Sequence, residues 1–164
     1  MNQANKQNAA NSAAEPLFRI ERVFVKDVSF EAPKSPALLL EQWEPTVDVE
    51  LDVAFDQLSN DAVDATLFLN VTIKRDDQAV IMVAIKQSGI FTITGFDAAQ
   101  HHAIRAIECP KVLYPYAQQL CAQLVQQGGY PPLHLAPVSF EAMYHQHQAQ
   151  KDQQTEPASE AEVA

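Results

Sequence analysis

Two histidine pairs, two cysteines and a run of carboxylates are the side chains here that could bind a metal, act as a nucleophile or move a proton. His101 and His102 are adjacent, so on a helix they point about 100° apart and do not share one metal ion. His145 and His147 flank Gln146; they could chelate from an extended strand but diverge on a helix. All four read as surface histidines. A cysteine nucleophile needs an exposed, partnered thiolate. Cys109 precedes Pro110 and Cys121 follows Gln119-Leu120, settings in which cysteine behaves as a small apolar residue. Asp48, Glu50 and Asp52 could pair for acid–base work, but on an open strand face they are hydrated and no cleft is implied. With only four glycines, no phosphate-binding loop, dinucleotide fingerprint or nucleophile elbow can be written. The expectation is a non-enzyme with no metal and no cofactor.

The elements that carry these residues are legible in the apolar spacing. Val47, Val49, Leu51, Val53 and Phe55 alternate with Asp48, Glu50, Asp52 and Asp56. A period of two predicts a strand with its carboxylates on one face and its apolar side chains on the other. Ala65, Leu67, Leu69, Val71 and Ile73 repeat the pattern after a turn at Ser59-Asn60-Asp61, and Arg75-Asp76-Asp77-Gln78 reads as a hairpin. A long run from Val80 to Thr94 follows, with a bulge or bend expected at Gly89. Ahead of these, Phe18, Ile20, Val23, Val25, Val28 and Phe30 predict a strand whose register slips near Arg22.

After Gly95 the spacing becomes helical. Asp97 is a cap for a helix through Ile107, Pro110 is placed to open a second helix ending at Gly128-Gly129, and Ser139 caps a short third one. Strands followed by helices predict an α+β fold: a four-stranded antiparallel sheet, meander or Greek key, with helices packed on one face. Two proline-bounded loops carry an apolar excess: Leu38, Leu39, Leu40 and Trp43 in one, Tyr130, Leu133 and Leu135 in the other. Either they close over the core or they wall an apolar groove that takes extended segments of other chains.

Residues 1–16 and 147–164 are polar, too poor in apolar surface to offset ordering, and read as disordered tails around a domain at 17–146. There is no secretory h-region and no apolar stretch long enough to span a bilayer, so the cytoplasm, with reduced thiols, is the expected setting. The net charge of −10 opposes binding to nucleic acid or to an anionic membrane. Between Glu41 and Asp64 every charged residue is acidic, a block of one sign that suits a basic partner.

Four motifs are specific. They are Arg22-x-x-x-Lys26-Asp27-x-Ser29-Phe30-Glu31-Ala32-Pro33, Gly89-Ile90-Phe91-x-Ile93-x-Gly95, Cys109-Pro110-x-x-Leu113-x-Pro115-Tyr116-Ala117, and Leu133-x-Leu135-Ala136-Pro137-Val138-x-Phe140. In this order, from about Phe18 to Tyr144, they resemble the SecB family of protein-export chaperones.

The resemblance implies a homotetramer, a dimer of dimers, that holds unfolded precursor proteins without ATP or metal and delivers them to the SecA motor. Carried over, the SecA-docking surface would use Asp27 and Glu31, with Met82 as its apolar contact. A glutamate common in the family two residues on is Ala84 here, so one carboxylate of that patch is missing. Val83, Ile85 and Gln87 resemble the dimer-pairing edge. The client groove would draw on Trp43, Val47, Val49 and Leu51, with Leu133, Leu135, Met143 and Tyr144 on its helical side. The family's SecA-contacting tail is replaced by a more polar, Gln-rich one. Two readings from other classes stand beside this one: an acidic adaptor for a single folded basic partner, and a small-molecule binder using the sheet–helix groove.

Overall fold

The computed structural model describes residues 15–154. The elements run β1 (Leu17–Glu31), a single 3₁₀ turn (Ala37–Leu40), β2 (Thr46–Gln57), β3 (Ala62–Arg75), β4 (Gln78–Thr94), α1 (Ala98–Gln127) and α2 (Phe140–Gln154). Most of the two expected tails lies outside the described residues, and the boundary expected at 146 falls inside α2.

The strands form one antiparallel sheet in the order β1-β4-β3-β2. β2, β3 and β4 follow one another as hairpins, and β1 lies beside β4, which is the Greek-key arrangement of the two expected. The β3–β4 turn places Asp76 and Asp77 at φ 48° and 62°, the left-handed pair that a two-residue hairpin loop requires. α1 lies on one face of the sheet over β4 and β3, and α2 packs on α1 rather than on the strands. The core is the apolar face of β3 and β4, including Leu67, Leu69, Ile85 and Phe91, closed by Leu113, Ala117, Cys121 and Val125 of α1.

β1 slips register twice. Its pairing with β4 skips Glu21, as the slip near Arg22 predicts, and skips again at Lys26. Each bulge sets two polar residues against one partner on β4 and restores the inward aim of the next apolar residue. The apolar spacing Phe18, Ile20, Val23, Val25, Val28 and Phe30 records both slips.

Two expectations are corrected. Gly89 lies in unbroken ladders with Val23 on β1 and Ala65 on β3, so no bulge occurs there. Close packing explains the glycine: a Cβ would stand 2.8 Å from Phe91 Cε2 and 3.0 Å from Leu113 Cδ2. The two helices expected on either side of Pro110 are one helix of 30 residues containing both Pro110 and Pro115. Each proline removes one backbone donor, at a cost of roughly 3 kcal/mol. Burial of Cys109, Pro110, Leu113 and Tyr114 across that junction offsets it. Asp97 does cap the helix, accepting from the Gln100 N–H at 2.8 Å while the Gln100 side chain accepts from the Asp97 N–H at 3.2 Å. Ser139 caps α2 through the Ala142 N–H.

Candidate functional site

The two proline-bounded loops do both things considered for them. Leu38 and Tyr130 are buried and close the end of the core, while Leu40 is 90% exposed and Leu39 41%. Between the loops opens a groove of about 380 Å³. Its walls are Leu39, Trp43 and Val47 on one side and Tyr130, Pro132 and Leu133 on the other, with Ile73, Ile81 and Val125 at its base. Gly129, at φ 89°, lets the chain leave α1 sharply, a conformation that L side chains rarely adopt. A Cβ there would stand 3.2 Å from Leu39. The second loop is pinned to α1: Tyr114 donates to the Ala136 carbonyl at 2.8 Å and Gln118 to the Leu135 carbonyl at 3.0 Å.

Of the residues expected to line a client groove, Trp43, Val47 and Leu133 meet there. Val49 and Leu51 continue the same face of β2, exposed and half-buried respectively. Leu135 packs on the core beneath the second loop, and Met143 packs from α2. The Tyr144 hydroxyl lies 3.2 Å from His102 Nδ1, so Tyr144 fastens α2 to α1 rather than lining the groove. Lys111 donates to Glu141 at 3.0 Å across the same junction. The Glu141 carboxyl is held below its ordinary value by a backbone N–H at the start of α2 and then by Lys111. The groove residues at its base, Ile73, Ile81 and Val125, read in sequence only as core; no local signal separates a core residue from one at the floor of a groove.

The opposite face of the sheet is acidic. The ladder pairs Asp27 with Lys86, Ser29 with Ala84 and Glu31 with Met82; it pairs Asp48 with Thr72, Glu50 with Asn70 and Asp52 with Phe68. Partners across a ladder share a face, so Asp27, Glu31, Asp48, Glu50 and Asp52 all point away from α1. They belong to the two outermost strands, roughly 14 Å apart across β4 and β3. Asp48 is paired with Lys74. Among the described residues Asp27, Glu31, Glu50 and Asp52 have no ion-pair partner, which leaves their field open to solvent. Glu31 and Met82 are direct cross-strand neighbours. Ala84 lies between Ser29 and Asn70, and the acid nearest it along that row is Glu50 on β2.

The residues expected at a pairing edge are corrected. Val83, Ile85 and Gln87 lie on β4, which pairs with both β1 and β3. Their ladder groups are taken, and all three side chains are buried within the chain's own fold; Gln87 donates to the Phe24 carbonyl at 2.9 Å. The open edges are those of β1 and β2, and β1 exposes Ile20, Val25 and Val28 beside its edge.

Cys109 and Cys121 are both fully buried. Their separation of twelve positions along α1 spans about 18 Å, well beyond the reach of a disulfide. Burial pushes the two thiols up to about 12 and about 11, where neither is a nucleophile at neutral pH. Among the described residues no three His, Cys, Asp or Glu side chains converge as a metal site would need, and no helix is long and apolar enough to cross a membrane.

The family model described as "Preprotein translocase subunit SecB" matches residues 11–151. A protein-export protein SecB of Pseudomonas syringae is 42% identical over 145 residues, covering 88% of this chain and 89% of that protein. Its counterpart in Methylococcus capsulatus is 39% identical over 149 residues, covering 91% and 96%. Among solved structures, a SecB-like chaperone of Mycobacterium tuberculosis, in complex with a ChAD peptide from an antitoxin, superposes with a TM-score of 0.63. It is 20% identical and the match covers 74% of this chain and 91% of that one, a likeness of fold.

Proposed function

This chain belongs to the SecB family of preprotein translocase subunits, and from that premise we propose that it is an ATP-independent holding chaperone of the Sec export pathway. It binds unfolded precursor proteins in the cytoplasm, keeps them fit for translocation and passes them to the SecA motor. The observation that carries this reading is the use of the two faces of one sheet. The apolar groove opens on the helix side, and the unpaired carboxylates of β1 and β2 stand on the other. One subunit can then hold a client and dock a motor at the same time without either blocking the other.

The groove suits a holding function because its walls are broad and apolar, with few polar groups to impose a sequence. Trp43, Val47 and Leu133 supply contact area, and the Leu40 side chain extends it outward. Val49 and Leu51 would prolong the track along β2, and Leu135, Met143 and Tyr144 would support its helical side. The acidic face would dock SecA through Asp27, Glu31 and Met82. A homotetramer built as a dimer of dimers is supported by the open β1 edge, with Ile20, Val25 and Val28 beside it, because an unpaired edge bordered by apolar side chains favours pairing with another copy.

The test combines suppression of aggregation of an unfolded precursor with SecA binding. The wild-type chain should do both. Asp27→Lys or Glu31→Lys should weaken SecA binding and leave holding intact. Loss of both functions together would detach the acidic face from docking. Binding to one folded partner without any holding activity would establish the acidic adaptor instead.

A further inference from the structure

We propose that Lys26 is a positioning residue, whose ion pair with Asp64 holds the bulge that turns Asp27 and Glu31 onto the acidic face. The proposal rests on the reading of that face as the docking surface, and adds the device that orients it.

The argument begins with parity. Val25 points toward α1, paired with Gln87, and Asp27 is the next residue in register, paired with Lys86. Lys26 is the extra residue between them. In a regular strand Lys26 would take the outward position, Asp27 and Glu31 would turn toward α1, and Val28 and Phe30 would turn to water. The bulge reverses all four. Phe30 then reaches the end of α1, its ring so close to Gly128 that a Cβ there would collide with it.

The extra residue is held by an unusual partner. Lys26 reaches over β4 to β3, where its Nζ lies 2.5 Å from Asp64 Oδ2 and 3.1 Å from Thr66 Oγ1. Ser88, on β4 between them, is fully buried and shares a 2.7 Å hydrogen bond with Thr66. Asp64 is only 9% exposed, and its Oδ1 has no protein partner. A carboxylate so placed is costly unless a cation reaches it, and Lys26 is the cation that does so. Only the bulged conformation presents both Lys26 and Asp27 on this face. Lys26 lies on this face in either register, so its pair with Asp64 acts by tethering the extra residue to β3 and away from the ladder position opposite Lys86, where two like charges would meet. The other bulge is held differently, at the exposed end of the strand: Arg19 and Thr92 both donate to Glu21.

Net charge and positioning predict opposite signs for one substitution. Lys26→Met removes a cation from an acidic face, so binding of a partner drawn by net charge alone would tighten. If Lys26 positions Asp27 and Glu31, binding weakens. The experiment compares wild type, Lys26→Met and Lys26→Arg in the full-length chain by hydrogen exchange, SecA affinity and client holding. In Lys26→Met the amides of residues 27–31 should exchange about fivefold faster, the upper range for losing a partly exposed ion pair. SecA affinity should fall several-fold, while exchange in α1 and client holding stay at wild-type levels. Lys26→Arg should restore both. A general loss of stability would move α1 exchange and client holding as well, and would overturn the proposal. So would unchanged exchange at 27–31, or tighter SecA binding. Asp27→Lys, run alongside, tests the docking reading itself. If it leaves SecA affinity untouched, that reading fails, and the exchange data alone decide whether Lys26 holds the bulge.

Discussion

The hydroxyls of Ser35 and Tyr130 lie 2.6 Å apart, joining the two loops that wall the apolar groove across ninety-five positions of sequence. The first loop is also tied to β3 by the Glu41–Arg75 ion pair, and the second to α1 through Tyr114 and Gln118. The Ser35 hydrogen bond ties the first loop to Tyr130, which both closes the end of the core and lines the groove.

Tyr130→Phe removes that link while keeping the ring that plugs the core. The exposed Ser35 hydroxyl loses its protein partner and turns to water, so the loss is the net worth of one hydrogen bond, about 1 kcal/mol. Urea unfolding should show a lower midpoint with an unchanged slope, and affinity for an unfolded client should change with it. Wild-type stability in this variant would mean that water satisfies Ser35 equally well.

Trp43→Ala removes the largest side chain of the groove wall. Truncation of a central aromatic anchor weakens binding by roughly tenfold or more. Fluorescence or calorimetric titration with an unfolded precursor should read this loss. SecA binding should be unchanged, because Trp43 and the acidic residues lie on opposite sides of the sheet. Equal client affinity in the variant would return this loop to a purely covering role.

Gly89→Ala tests why the strand carries a glycine. The added methyl meets Phe91 and Leu113, both fully buried, and such overpacking costs roughly 1–3 kcal/mol. The loss should appear as a lower thermal midpoint with the strand content by circular dichroism unchanged. A neutral outcome would show that α1 can lift from β4 at no cost.

The two thiols give a pH prediction. Their folded values are raised by burial from an ordinary 9.0 to about 12 and about 11. A raised value means that the folded state favours the neutral form. This contribution to stability is complete below pH 9, and declines as the pH climbs toward the folded values. Native protein at pH 8 should resist a thiol reagent that labels both cysteines in denaturant, and denaturant midpoints should fall progressively above pH 9. Rapid labelling of the native chain would show that α1 opens locally.

Much of this architecture is written in local patterns. The period of two in β2 and β3 specifies both the strands and the face that each carboxylate takes, since alternation leaves no other choice for Asp48, Glu50 and Asp52. The spacing of apolar residues in β1 encodes both bulges, although the slip at Lys26 is harder to read because charged residues surround it. Asp97, Gln100 and Ser139 mark helix starts by hydrogen bonds confined to one turn, and so are visible without a fold.

Other features depend on partners far along the chain. Proline at 110 and 115 signals a helix boundary locally, yet burial against β4 and β3 carries one helix through both. Gly89 looks like a bend until Leu113 is placed upon it. Val83, Ile85 and Gln87 have the alternation of any strand, and only the sheet order, with β1 returning beside β4, makes them interior rather than edge. The elements, their faces and the acidic block are local properties, because they follow from periodicity and backbone chemistry within a few residues. Which strand edges stay open, which loop residues wall a groove, and that Lys26 meets Asp64 emerge only once the chain is folded. Those outcomes rest on contacts between segments whose separation in sequence carries no record of their distance in space.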